Sequence, residues 1–372
     1  MKIVIAMDSF KGTLKAHEAC DIVAQVVANY VPDAKIVVKP MADGGEGTAR
    51  AMIEAVNGRW IPQTVMGPVE QMRIEAGFAW FDDDKTALVE MASASGLELL
   101  SKSQMDPIKT TTFGTGELIA AALDYGAEKI LLAVGGSSTV DGGVGAAMAL
   151  GWKFLDGRAN PISLGGAGLE KIAEIIKPRN LKLVPLEVLC DVDNPLCGSN
   201  GAARIYGPQK GATPEMIEQL EKGLKHLANL VSLQLNKDIK NVPGAGAAGG
   251  LAAGALSFMN ARLVSGIDVI MHRSKLHSEL KSADWIITGE GSFDRQSLYG
   301  KVVSGISKIA LQTGTRIAVL AGQVTVQKNE YHKLGIVTAI ASKTPDISLD
   351  YALDNSRDLL CHAAEQFVKE HL

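Results

Sequence analysis

Apolar and polar positions alternate in two rhythms along this chain, and the rhythm changes twice. Residues 2–7 read as a strand, apolar without a break from Ile3 to Met7; beyond them Ala16, Ala19, Ile22, Val23, Val26 and Val27 recur at helical spacing. A second short run at 36–38 precedes a second helical pattern at Ala51, Met52, Ala55 and Val56. A polar, glycine-bearing segment separates each run from its helix, at 8–13 and again at 41–48. Strand, polar loop, helix, repeated, predicts βαβ units on a parallel sheet, with both loops leaving from one edge. Near Gly58 the pattern shifts to three strands at 59–65, 72–81 and 86–91, punctuated by Gly67-Pro68 and Asp82-Asp83-Asp84. That is a meander, so this part of the sheet is expected to be antiparallel or mixed. Further strands are predicted at 129–134 and within 181–190, and an amphipathic helix at 214–235. The uncharged, Gly/Ala-rich stretch 242–261 suits close backbone packing. After Asp284 the first rhythm returns, with strands at 285–287, 316–320 and 336–340 and a last helix from about 349 to the end.

The two ends of the chain therefore share one grammar and the middle has another. The predicted fold is α/β and two-lobed. Residues 1–64 plus 284–372 form a discontinuous doubly wound parallel-sheet lobe of Rossmann or flavodoxin type. Residues 65–283 form a second, mixed-sheet α/β lobe inserted into it. The expected active site is a cleft between them.

Composition narrows the class. Of 372 residues, 47% are hydrophobic and 21% charged, ordinary for a globular protein. A net charge of −4 gives no basic field for nucleic acid. The four cysteines make no CxxC pair and no zinc spacing, which fits reduced thiols in a cytoplasm. Asp8 interrupts the N-terminal apolar run too early for a signal peptide, and no run is long enough to span a membrane.

Candidate chemistry concentrates where strands are predicted to end. The run at 285–287 stops at Thr288-Gly289-Glu290-Gly291, followed by Asp294, Arg295 and then Lys301 at the start of a helical pattern. Carboxylates just past a buried strand lie where open α/β sheets bind ligands. A lysine in the first helical turn opposes the helix dipole and suggests an anion nearby. The loop 135–143 joins a strand to a helix N-terminus and offers Gly135, Gly136, Ser137, Ser138 and Thr139 as a phosphate cradle. Asp191 and Asp193 follow another strand, where a carboxylate can orient a hydroxyl or a magnesium ion. Lys11 and Lys210 flank glycines and are candidates to hold a carboxylate or phosphate. Gly300-Lys301 is followed by Val302, so it is not a Walker A loop, and the GxGxxG letters at 244–249 do not follow a predicted strand.

In order along the chain stand DSFKGT (8–13), MADGGEGT (41–48), GGSSTVDGG (135–143), CDVDNPLCG (190–198), YGPQKGA (206–212), PGAGAAGG (243–250) and TGEGSFDRQSLYGK (288–301). This set resembles the type I glycerate kinases of bacteria across nearly the whole chain. The resemblance implies ATP- and Mg²⁺-dependent phosphorylation of D-glycerate, with 2-phosphoglycerate as the product in bacterial members. One motif departs from the expected pattern: Ser-Ser-Thr-Val-Asp stands where Ser-Ala-Thr-Asn-Asp is expected, so Val140 cannot make an asparagine's contact.

Phosphoryl transfer needs positioning and charge neutralisation, and the residues are assigned accordingly. Asp191 is the expected base, with Asp294 and Lys11 as its catalytic companions. Gly135 to Thr139 and Lys301 are expected on the nucleotide, and Ser9, Lys11, Asp43, Lys210 and Arg295 on the acceptor. Asp191, Glu290 and Asp294 are the expected magnesium carboxylates. The expected partners are D-glycerate and ATP, with no nucleic acid or membrane, in a cytoplasmic monomer or homodimer. The alternatives are a kinase forming 3-phosphoglycerate, a hydroxy-acid dehydrogenase, and a non-catalytic binding protein for small acids.

Overall fold

Five all-parallel strands form the first sheet, in the order Ile336–Ala341, Arg316–Ala321, Trp285–Gly289, Lys2–Met7, Lys35–Val38. The computed structural model describes residues 1–10, 12–42, 44–45, 47–298 and 302–372. In chain order these strands run second, first, third, fourth, fifth, which is the flavodoxin-type doubly wound arrangement. The order in which strands are added reverses between Lys2–Met7 and Trp285–Gly289. Nearly continuous apolar runs make these strands, because helices cover both faces. On one face Ile3, Ile5, Met7, Trp285, Ile287 and Leu320 pack against helices Ala16–Tyr30 and Ser356–His371. Helix Val302–Thr313 packs against the strands Trp285–Gly289 and Arg316–Ala321.

The second sheet has six strands, ordered Arg262–Val264, Leu186–Leu189, Lys129–Ala133, Thr86–Glu90, Arg73–Phe81, Arg59–Met66. The first three joints are parallel and the last two antiparallel, so the sheet is mixed, as the meander predicts. Phe78, Val89, Leu132 and Val188 share a core with helices Phe113–Tyr125, Pro214–Leu235 and Ala247–Phe258. The helix at 214–235 has its predicted bounds for physical reasons. Pro214 occupies the first turn, the Thr213 hydroxyl accepts from the Met216 N–H at 3.3 Å, and Asn236 closes the end in the left-handed region.

The chain divides into two compact units: Met1–Asp43, Arg50–Asn57 and Ser265–Leu372 in the first, Gly44–Ala49 and Gly58–Val264 in the second. These bounds differ from the predicted 64/65 and 283/284. Strand Arg59–Met66 pairs along its whole length with Arg73–Phe81 and so joins the second sheet. Helix Gly266–Arg273 belongs to the first unit because Ile267 and Met271 pack over Gly305 of helix Val302–Thr313. Two further predictions shorten. The strand read within 181–190 is confined to Leu186–Leu189, after Pro185, whose ring nitrogen donates nothing to a ladder. The last helix divides into Leu349–Asp354 and Ser356–His371 at Asn355.

Candidate active site

In the first unit, four neighbouring strands end in a shared cavity of about 340 Å³. Asp8 follows Lys2–Met7, Glu290 follows Trp285–Gly289, Gly322 follows Arg316–Ala321 and Ser342 follows Ile336–Ala341; all four line it. The turns are laced together by backbone bonds. The Asp8 N–H donates to Gly289 O at 2.8 Å, and the Gly322 and Gln323 N–H groups donate to Glu290 O and Gly291 O at 3.1 Å each. Gly289 is required here, since a Cβ would lie 1.7 Å from Leu320 O. Asp8 turns its Oδ1 back to accept from the Ser9 N–H at 2.6 Å. Glu290 is buried to 7% exposure, and Asp294 Oδ1 accepts from the Ser297 N–H at 3.4 Å. The cavity therefore sits at the point where the strand order reverses, the place where doubly wound sheets bind ligands.

Three carboxylates (Asp8, Glu290, Asp294) and one lysine (Lys343) line this cavity among the described residues, with Phe10, Leu349, Ala352 and Leu353 as its apolar part. Ser9, expected on the acceptor, lies on the wall of this cavity. Asp8 and Lys343 were not among the candidates read from the sequence. Their signal was position alone, since each stands within two residues of the end of an apolar run. Arg295 is not in the lining. Its side chain is 83% exposed and its guanidinium lies 3.5 Å from Glu330. Lys11, Asp43 and Lys301 lie outside the described residues.

In the second unit, the parallel strands Thr86–Glu90, Lys129–Ala133 and Leu186–Leu189 present Glu90, Gly135 and Asp191 at their carboxyl ends. A glycine pair fits closely over them. A Cβ on Gly135 would fall 2.4 Å from Gly45 Cα, and one on Gly44 would fall 3.1 Å from Leu189 Cβ. Glu90 Oε1 accepts from the Ala49 N–H at 2.8 Å, so this buried carboxylate caps the start of helix Thr48–Val56. Asp191 is half-buried and Asp193 exposed. The loop beyond them is pinned at Asn194, whose side chain accepts from the Tyr206 hydroxyl at 2.7 Å and donates to Asn200 O at 2.9 Å.

The glycine-rich loop at 135–143 is organised differently from a phosphate cradle built on hydroxyls. Gly135 is half-buried and Gly136 exposed, but Ser137, Ser138 and Thr139 face inward. The Ser138 hydroxyl donates to Ser95 O at 2.9 Å. Thr139 Oγ1 is buried and has no hydrogen-bond partner among the described residues. Ser137 Oγ accepts from Lys210 Nζ at 2.7 Å, and the same ammonium donates to Thr139 O at 2.7 Å. Lys210, expected on the acceptor, is instead an internal strut, 1% exposed. Burial pushes its pKa down to about 7, opposed by the charge of Asp141.

Asp141, also absent from the sequence candidates, is the hub of this loop. One of its oxygens accepts from the Thr112 N–H and hydroxyl at 2.8 Å each, and the other from the Gly143 N–H at 3.0 Å. Burial raises its pKa, and these donors pull it back. The Gly/Ala stretch completes the packing. The Gly142 N–H donates to Gly249 O at 3.1 Å, and a Cβ on Gly249, at φ +64°, would lie 1.9 Å from Thr139 O.

Among the described residues no group of three or more His, Cys, Asp or Glu side chains is gathered to hold a metal ion. Nor, among those residues, is any helix long and apolar enough to cross a membrane.

A flavodoxin-order sheet with an acidic cavity at its reversal point, and a second sheet with carboxylates at its strand ends, describe an α/β enzyme that handles small polar molecules. Comparison with known proteins makes this specific. The chain belongs to the glycerate kinase family, whose sequence model matches residues 3–371. It is 42% identical to the glycerate 2-kinase of Escherichia coli over 99% of this chain and 97% of that one. It is also 42% identical to a glycerate kinase of Halalkalibacterium halodurans, covering 98% and 97% of the two chains. A Salmonella typhimurium LT2 crystal structure, described as a candidate glycerate kinase 2, superposes with a TM-score of 0.86. It is 41% identical, covering 100% of this chain and 98% of that one.

Proposed function

We propose that this protein transfers the γ-phosphoryl group of ATP to the 2-hydroxyl of D-glycerate. The observation that carries this is the 42% identity, nearly end to end, with a protein named glycerate 2-kinase. The local geometry supports it, because phosphoryl transfer asks for carboxylates and backbone donors at fixed strand ends rather than a covalent nucleophile.

Asp191 takes the proton of the acceptor hydroxyl, from a strand end stiffened by Pro195 and by the Asn194 contacts. Glu290 and Asp294 stand on the metal side. Magnesium is commonly held by one or two carboxylates together with substrate phosphates, and Glu290 and Asp294 supply such a pair on one cavity. When bound, the ion neutralises the charge that develops between the phosphates. Lys11 and Lys301 are assigned to anionic groups by their places in the chain. Lys210 is given no substrate contact because it is buried and donates to Ser137 Oγ and Thr139 O, and Arg295 none because its exposed side chain stands outside the cavity lining. At 135–139 the assignment is confined to the backbone of Gly135 and Gly136.

The test is regiochemical. Purified protein with ATP, Mg²⁺ and D-glycerate, coupled to enolase without phosphoglycerate mutase, is expected to form phosphoenolpyruvate at once. A signal that waits for added mutase identifies 3-phosphoglycerate and overturns the 2-hydroxyl assignment.

A further inference from the structure

The cavity of the first unit is too long and too acidic for the three-carbon acceptor. It spans the ends of four adjacent parallel strands, and at ~4.8 Å per strand this is about 14 Å. Its volume of about 340 Å³ falls in the range of sites for ligands of drug size. Glycerate would fill a fraction of that length. The charge is also wrong for an anion in contact with protein, since three carboxylates face one lysine among the described lining residues.

The two ends of the cavity differ in chemistry. Asp8 and Glu290 belong to the neighbouring strands Lys2–Met7 and Trp285–Gly289. Gln323, Ser342 and Lys343 belong to the next pair, Arg316–Ala321 and Ile336–Ala341. Leu349, Ala352 and Leu353, from the short helix Leu349–Asp354, add an apolar wall. Leu349 and Leu353 remain 55% and 44% exposed, so this wall offers apolar surface that a ligand in the cavity can cover.

We infer that this cavity takes the nucleoside half of the ATP substrate, with the flat base against the wall of helix Leu349–Asp354. An uncharged base and ribose match an apolar wall with scattered amide and hydroxyl partners. Ribose hydroxyls and the exocyclic amine are hydrogen-bond donors, and carboxylates are acceptors only. The triphosphate, which carries magnesium, then points toward the acidic end. This placement rests on the kinase reading given above.

The experiment separates the two. Ala352→Trp fills the cavity, and Leu353→Ser strips the wall at a residue exposed enough to leave folding intact. ADP binding to each full-length variant is measured by calorimetry, and KM for ATP and for D-glycerate by the coupled assay. Each variant is expected to weaken ADP binding and raise KM for ATP by about tenfold or more, with KM for D-glycerate within about twofold. Unchanged ADP binding in both folded variants overturns the inference. So does a rise in KM for D-glycerate with KM for ATP unchanged, which would make this the acceptor pocket. A parent protein that binds ADP but does not phosphorylate glycerate refutes the kinase reading alone. The inference then stands or falls on whether Ala352→Trp loses ADP.

Discussion

At the carboxyl edge of the first sheet the strand ends are held apart around a cavity of about 340 Å³. At the same edge of the second sheet the corresponding space is filled. The loop after Lys129–Ala133 is pressed against Gly45, Ser95 and Gly249, and its interior is wired by Asp141 and Lys210. Both edges carry glycine runs and buried charge, so sequence alone makes them look equivalent. Glycine serves two opposite purposes here. At 289–291 it lets turns run together beneath an open cavity; at 135–143 and 244–250 it removes side chains so that backbones can touch. A glycine-rich loop signals close approach, and what approaches is decided by the rest of the fold.

The sharpest way to break this comparison is to put a methyl group where backbone meets backbone. Gly249 has φ +64° and no room beside Thr139 O. Gly249→Ala should therefore destabilise by several kcal/mol, on the order of 3–5, combining left-handed strain with overpacking. Chemical denaturation should show a much lower midpoint, or the protein should fail to accumulate folded. A variant melting with the parent would show that the packed edge yields easily.

Next in size is an effect on turnover with the fold left alone. Asp191→Asn keeps shape and removes charge. It should lower kcat by roughly 10²–10⁴-fold, the range for losing general-base help, with little change in nucleotide affinity. Asp294→Asn supplies the contrast from the other edge and should weaken the nucleotide–metal side, altering the Mg²⁺ dependence. An Asp191→Asn enzyme within a few-fold of the parent would remove Asp191 from the chemistry.

Much of the fold is legible in the sequence because periodicity reports burial. The parallel strands read as unbroken apolar runs, the meander as strands between turns, and helix Pro214–Leu235 as a stripe with a proline start. What stays hidden is what a side chain does once its position is known. Lys210 reads as a cation beside a glycine, free to hold an anion, yet it is buried against the loop at 135–143. Asp141 reads as one more polar residue in a turn, and Lys343 as an ordinary charge after a strand. The break at Asn355 carries no glycine or proline to announce it. Burial of a charge depends on contacts between Lys210 and residues about seventy positions away, and local pattern does not contain them.

The smallest effect concerns that lysine and tests whether the packed edge is held by charge or by shape. Lys210 has its pKa lowered from 10.5 to about 7 by burial, while Asp141 favours the charged form. Between those two values the unfolded chain holds a proton that the folded protein has released. Unfolding then takes up a proton, so stability rises with pH across this window. Below about pH 7 both states are protonated and the full cost of burying the ammonium is present. Lys210→Met removes the titration and keeps most of the volume, at the cost of leaving Ser137 Oγ and Thr139 O without their donor. Plotted as parent minus variant, stability from denaturant titrations should climb as pH rises from about 7 toward 10.5. A flat difference would mean that Asp141 keeps the lysine charged throughout. The loop would then be held by a buried ion pair, and removing one member would leave the other uncompensated. In that case Lys210→Met should destabilise equally at every pH, and the double change Lys210→Met with Asp141→Asn should recover part of the loss.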